Sequence, residues 1–413
     1  MLEVLRNSAY AKLFSAQVVA LLGTGLLTIA LGLLAFDIAG GDAGFVLGTA
    51  LTIKMVAYVG LAPVIAAVTS QVPRKVLLVA ADVLRAAIAI SLPFVTEAWQ
   101  IYVLIFVLQS ASATFTPAFH AVIPEILRDE RDYTRALSLS RLAYDTEALV
   151  SPFLAAVLLT VINYHNLFVG TFVGFAGSAI LVLTTTFPAV RQAAPTPFAE
   201  RLTRGARVFW RTPVLRSLLA MNLVVASATA MVIVNTVVLV QGNLGQPQTD
   251  VALLLAAYGA GSMIVALALP ALLDALPDRA VMLGGAGALP IGLIAVAVAT
   301  SLPTSTASWV ALLMTWLYLG AATALILTPS SRLLRRASND TNRSSVFTAQ
   351  FSLSHACFIL TYPAAGILGV LIGLQLTALV LAGIAAIAAA IAVIAWTPRN
   401  RANTLESAAA NGH

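Results

Sequence analysis

The arginines and lysines of this chain fall in every second gap between long apolar runs. Of 23 basic residues, twenty sit there: Arg6 and Lys12; Arg74 and Lys75; Arg128, Arg131 and Arg135; Arg191, Arg201, Arg204, Arg207, Arg211 and Arg216; Arg279; Arg332, Arg335, Arg336 and Arg343; Arg399 and Arg401. The intervening gaps, around Asp37, Trp99, His165, Gly245, Pro303 and Gly373, carry none. Cationic loops are retained on the side of the membrane where the chain is made. The alternation therefore predicts an even number of crossings with both termini in the cytoplasm.

The chain is 60% hydrophobic and only 10% charged, against about a quarter charged for a soluble domain, so most of its surface cannot face water. Runs of about 20 apolar residues cross roughly 30 Å of hydrocarbon, and twelve are present: 13–36, 44–69, 76–96, 100–123, 137–162, 166–188, 214–240, 250–273, 280–301, 307–329, 346–372 and 374–396. Each must be helical, because a lone span satisfies its own backbone in lipid. The net charge of +6 is accounted for by loops beside anionic lipid and implies no nucleic-acid partner. A single cysteine, Cys357, excludes an internal disulfide. The N-terminus lacks a short apolar core followed by a small-residue cleavage site, so the first span is expected to be retained.

The longest polar interruption, Arg191 to Arg216, divides the spans into six and six. Local strings recur across the divide at nearly constant offset: Val68–Leu78 resembles Leu272–Leu283 with Pro73 opposite Pro277, Thr116-Pro117 corresponds to Thr328-Pro329, and Leu137–Arg141 to Phe351–His355. Six spans return the chain to the side where it began, so the repeats run parallel, as in the halves of major facilitator transporters. The expected organisation is an all-α membrane protein of twelve transmembrane helices: a six-helix half over 1–188, a basic cytoplasmic linker over 189–213, a second half over 214–398 and a cytoplasmic tail over 399–413.

The segment Phe115–Pro152, FTPAFHAVIPEILRDERDYTRALSLSRLAYDTEALVSP, resembles the stretch between the fourth and fifth spans in the drug/proton antiporter branch of the major facilitator superfamily, and is especially similar to bacterial permeases linked to nickel resistance. The resemblance implies a monomeric exporter in the bacterial inner membrane. One departure stands out. The family's loop between spans two and three usually reads G-x-x-x-D-R-x-x-R-R/K, and the matching positions here are Ala66, Ser70, Gln71, Arg74 and Lys75, so the basic end is kept and the Asp-Arg pair is gone. Asp82 and Arg85 follow just inside span three, and Asp274, Asp278 and Arg279 occupy the corresponding loop of the second half; these seven charged residues, from Arg74 to Arg279, are the gating candidates.

Charged side chains within spans cost about 2.5 to 3.5 kcal/mol each on insertion scales, so each needs a reason. Asp82 and Arg85, three apart, make a local ion pair, and Arg141 and Asp145, four apart, can meet on one helix face. Glu147 points elsewhere on that helix, and Lys54 is the other deeply placed charge of this half. Carboxylates held in a low-dielectric cavity can exchange protons near neutrality, so Asp145 and Glu147, with Lys54 and Arg141 as partners, are candidates for proton coupling. His355, at the repeat position of Arg141, joins them as either a packed neutral ring or a titrating one. By the resemblance, spans one, four, seven and ten line the central cavity, which makes Gln17, Thr24, Thr28, Gln109, Asn222 and Asn235 candidates for the substrate site. No CxxC or HxxxH spacing supports a resident metal.

There is no phosphate-binding loop of the GxxxxGK[ST] kind and no Ser/His/Asp set in context, so neither an enzyme nor a built-in ATP motor is expected, and no cofactor is implied. Taken with the resemblance, which alone implies export, the sequence is expected to encode a proton-coupled exporter of small toxic compounds. Divalent metal export is the first alternative and a non-transporting membrane sensor the remote one. A reporter fused after Gly41 or after Gln246 is expected to read the external side and one fused at Ala194 the cytoplasm; a cytoplasmic signal from the Gly41 fusion contradicts the twelve-span topology.

Overall fold

The computed structural model describes residues 2–61, 72–127, 129–187, 206–303, 305–338 and 343–396. The regular structure in them is helical, and nine continuous helices are long and apolar enough to cross a membrane. Two of the nine fold back on themselves. Ser8–Leu61 is interrupted at Gly40 and Ala349–Ala395 at Gly373, where φ is 52° and 79°, a backbone region that glycine enters without a Cβ penalty. Each of these therefore supplies two crossings. A further helix, Glu130–Leu158, is long enough at 29 residues but is charged over much of its length.

The twelve helices are α1 (Ser8–Ala39), α2 (Ala43–Val56, continued by a π turn over Ala57–Leu61), α3 (Arg74–Ser91), α4 (Ala98–Ile126), α5 (Glu130–Leu158), α6 (His165–Leu183), α7 (Pro213–Val237, continued by a π turn over Val238–Asn243), α8 (Gln248–Ala275), α9 (Asp278–Ser301), α10 (Thr306–Arg336), α11 (343–372) and α12 (374–395). Each corresponds to one apolar run of the sequence. The helices extend beyond the hydrocarbon-length core where polar residues can cap them: Asn7 accepts from the backbone N–H groups of Ala9 and Tyr10, and Ser305 and Ser308 form a reciprocal capping box at α10. The sixth run ends early, at Leu183 rather than near 188.

The chain divides into two compact units, Met1–Pro195 with Thr236–Gly259, and Thr196–Asn235 with Ala260–His413. The end of α7 and the start of α8 thus belong with the first unit, where a Cβ built on Gly242 would come 3.3 Å from the Phe36 ring. Within the first unit α1 packs on α5 and α6, and α3 on α4 and α6. An apolar cluster including Tyr10, Leu13, Leu78, Phe119, Ile123 and Leu139 fills the end at which α1, α3 and α5 begin. In the second unit α9 packs on α10 and on the α11–α12 segment. Large apolar side chains such as Ile180, Ile291 and Val298 are exposed on the outside, as a lipid-facing surface requires.

Helix contacts in lipid depend on small residues that let backbones approach. Gly23 of α1 meets Gly174 of α6, and the Thr171 hydroxyl donates 3.0 Å to the Gly23 carbonyl across the same seam. In the second unit a Cβ on Gly261 would fall on the Leu317 carbonyl oxygen of α10, whereas Gly287 faces open space. Gly261→Ala is therefore expected to lower thermal stability by about 1–3 kcal/mol through overpacking, while Gly287→Ala raises it by up to about 1 kcal/mol through helix propensity. Equal melting temperatures for the two variants in detergent would show that the α8–α10 approach is not tight.

Candidate functional site

Helices α2 and α5 of the first unit bring together two of the charges that the sequence singles out. Lys54 of α2 and Glu147 of α5 are within electrostatic range of each other. Both are half-buried. Ser151, one turn beyond Glu147, lies beside the carboxylate. What allows this arrangement is Gly25 of α1: a Cβ there would collide with Ser151 and come 2.5 Å from Glu147 Oε1. The missing side chain leaves room for the carboxylate between α1 and α5. Arg141 and Asp145, the other two candidates on α5, have side chains outside the described residues.

Asp82 and Arg85 form the expected ion pair, buried to 0% and 5% exposure. Its setting was not legible in the sequence. The Ser178 hydroxyl of α6 donates 2.7 Å to Asp82 Oδ2, and the Arg85 guanidinium lies over two rings, Phe115 of α4 at 4.3 Å and Phe175 of α6 at 4.5 Å. A guanidinium stacked between two π faces and neutralised at its edge is held in one place, and a desolvated cation–π contact contributes about 2 kcal/mol. This group ties α3, α4 and α6 together as a rigid strut. It has no spare charge to offer a substrate.

At the start of the third helix of each half stands a latch, drawn twice with reversed sign. Arg74, first residue of α3 after Pro73, makes a 2.9 Å ionic contact with Glu125 at the end of α4, too poorly aligned to be a hydrogen bond. Asp278, first residue of α9 after Pro277, is held by Arg336 at 2.5 Å and Arg332 at 3.7 Å from the end of α10. The next residue is basic in both cases and reaches the end of the half's last helix: Lys75 Nζ donates 2.9 Å to the Thr185 carbonyl, and Arg279 Nε donates 2.7 Å to the Trp396 carbonyl. Cations there satisfy orphan carbonyls and complement the helix dipole. Glu125, Arg332 and Arg336 were not singled out in the sequence; the signal was available as charge of opposite sign to the third helix's first residue at the end of the fourth. Asp274 is exposed and forms no ion pair among the described residues. Ala66, Ser70 and Gln71 lie outside the described residues.

The candidate amides are buried and mostly bridge helices. Gln17 Oε1 accepts 2.9 Å from Ser140 of α5, and Asn222 Nδ2 donates 3.2 Å to Gln350 of α11, so in each half the first helix is tied to the fifth by a buried side-chain hydrogen bond. Asn235 donates 3.2 Å to the Ala365 carbonyl of α11. Gln109 is buried in α4. Thr24 and Thr28 bond carbonyls of their own helix. His355 Nδ1 lies 2.7 Å from the Phe351 carbonyl and Cys357 bonds the Leu353 carbonyl, each one turn back, and no three His, Cys, Asp or Glu side chains gather among the described residues. At the opposite end of the first unit from the latch, the Tyr164 hydroxyl donates 2.7 Å to Asp37, and burial together with that carboxylate pushes the phenol pKa up.

If Gly25 makes room for Glu147, then Gly25→Ala lowers expression yield and thermal stability by about 1–3 kcal/mol, and Gly25→Ala combined with Ser151→Gly recovers part of the loss, because the second change removes the Ser151 atoms the new Cβ would strike and leaves only the flexible Glu147 carboxylate to shift. A destabilised double variant would place the strain elsewhere on α1.

The sequence profile of the Major Facilitator Superfamily matches this chain over residues 13–238 and again over 218–412. An uncharacterized MFS-type transporter, YfiS of Bacillus subtilis (strain 168), is 26% identical over 211 residues, a match that spans half of each chain. Among solved structures, a mutant of the nucleoside transporter NupG superposes with a TM-score of 0.75 at 13% identity, covering 94% of this chain and all of that one. A bacterial homologue of the human lysosomal transporter Spinster, inward-facing and occupied, gives 0.74 at 14% identity over 95% and 99% of the two chains. A POT family transporter in complex with 5-aminolevulinic acid gives 0.73 at 9% identity over 95% and 96%. At these identities the likeness speaks for the fold, and the twofold profile match speaks for the family: the chain is a multi-pass membrane transporter of the major facilitator superfamily.

Proposed function

We propose that this transporter is a proton-coupled exporter of small toxic compounds in the bacterial inner membrane, acting as a monomer with both termini in the cytoplasm. It works by alternating access between a half over 1–188 and a half over 214–398, joined by the 189–213 linker and followed by the 399–413 tail. The observation that carries the coupling is Glu147: a carboxylate in the interior of a membrane helix, in the space that Gly25 leaves free, with Lys54 of another helix as its countercharge. Protonation and release at such a group change the charge inside the protein, and a charge inside a bilayer biases which side can open. The export direction and the kind of cargo rest on the resemblance of Phe115–Pro152 to drug/proton antiporters.

Metal export, the rival reading, needs oxygen, nitrogen or sulfur ligands converging on one point. The resemblance of Phe115–Pro152 to nickel-resistance permeases favours this reading, but among its candidate donors His355 and Cys357 are engaged with their own helix backbone and no three ligating side chains gather among the described residues.

Reconstituted protein with an imposed pH gradient tests the reading. Glu147→Gln is expected to abolish gradient-driven transport of a lipophilic cationic probe while leaving probe-for-probe exchange, because exchange needs no net change in protonation. Undiminished gradient-driven transport in both Glu147→Gln and Asp145→Asn would remove α5 from coupling. Transport of nickel instead of the organic probe, lost in His355→Ala, would move the assignment to the metal reading.

A further inference from the structure

Just before α7 the chain forms a short helical segment over residues 206–211. It is joined to α7 without a flexible break: the Thr212 amide donates to the Val208 carbonyl, and the Thr212 carbonyl accepts from Leu215 and Arg216. Phe209 is buried at 1% exposure and anchors the inner side. On the outer side Arg207, Trp210 and Arg211 are all exposed, Trp210 to 71%, and their spacing of three and four puts them on one helix face. Arg216, exposed in the first turn of α7, adds a third cation. No carboxylate among the described residues pairs with any of these arginines, and the sequence from Arg201 to Thr249 contains no acidic residue.

We propose that this face binds the headgroups of anionic phospholipids. The segment stands where a transmembrane helix begins, at the level of the headgroups, and there an indole is favoured over bulk water. Two guanidinium groups flanking the ring present planar forks of donors, which match phosphate better than an ammonium does. The contrast within the chain is Trp99, at the start of α4: it is 61% exposed, but its neighbour is Glu97 and no basic residue lies between Arg85 and Arg128. Trp99 carries only the ordinary preference of an interfacial aromatic residue. At 207–211 ring and charge coincide, and only a lipid with net negative charge satisfies both. The inference rests on the twelve-crossing reading, which puts this segment at the cytoplasmic face.

The test uses the intact protein in phosphatidylcholine vesicles doped with either dibrominated phosphatidylglycerol or dibrominated phosphatidylcholine, with tryptophan quenching as the readout. The contribution of Trp210 is obtained by difference from Trp210→Phe. That contribution is expected to be quenched more strongly by the brominated anionic lipid. The preference should fall about five-fold for each arginine removed in Arg207→Gln and Arg211→Gln, following about 1 kcal/mol per surface cation, and Arg→Lys at both positions should keep part of it. The Trp99 contribution, taken by difference from Trp99→Phe, should show no such preference. Equal quenching of Trp210 by the two lipids, or a preference unchanged in Arg207→Gln/Arg211→Gln, overturns the proposal. Quenching by brominated phosphatidylcholine reports whether each variant still holds the segment at the interface. Because the vesicles expose the protein to the same lipid on both faces, a wrong topology does not mimic a wrong lipid assignment.

Discussion

In hydrocarbon no water is available to receive a backbone hydrogen bond, and every amide must find its partner inside the protein. That constraint makes each apolar run of this chain a helix and leaves side chains as the only means of fixing one helix against another. The few polar groups allowed inside are therefore tied across seams: Asp82 to Arg85 and Ser178, Gln17 to Ser140, Tyr10 to the Ala136 carbonyl, Asn222 to Gln350. Glycine completes the scheme by letting seams close, as at Gly23 against Gly174. Polarity inside the spans is thus mostly structural, and a group that lacks a tight partner becomes informative by contrast.

The two latches show what the internal repeat has kept. Geometry persists: an ionic contact from the third helix's first residue to the end of the fourth, and a basic second residue donating to the end of the sixth. Charge does not. An acid at the first position, Asp278, complements the positive end of the helix dipole, whereas the basic Arg74 opposes it. The second-half latch accordingly has two arginines on a well-placed carboxylate, and the first-half latch a single, poorly aligned contact.

Sequence reasoning reached the parts of the structure that are local along the chain. The spans follow from apolar length, and the Asp82–Arg85 pair from a spacing of three. The second-unit loop charges came from matching Pro277 with Pro73. What it could not reach is pairing across helices that are distant in sequence. Phe115 and Phe175 are ordinary apolar residues until the fold sets them on either side of Arg85, and Glu125 is one acid among several near the end of α4. Candidate cavity residues met the same limit: a buried Gln17 bonded to Ser140 reads identically, in sequence, to one facing a substrate.

Lys54 and Glu147 stand apart from the struts because their neutrality is conditional. Asp82 is paired with Arg85 and accepts from the Ser178 hydroxyl, and two rings flank the Arg85 guanidinium, so the pair is held in place from several sides. Glu147 has a hydroxyl beside it, a glycine that leaves space, and a lysine on a flexible stem. A lone charge in a low-dielectric interior is costly, commonly about 3–5 kcal/mol when a buried partner is removed, so a change of charge on one member of the pair calls for a matching change on the other or for an ion in its place. The difference between the rigid pair and the adjustable pair is not the amount of charge but the freedom left to it. Under the proposed coupling that freedom is the property that matters, since a site whose charge cannot change has nothing to pass to the conformational equilibrium.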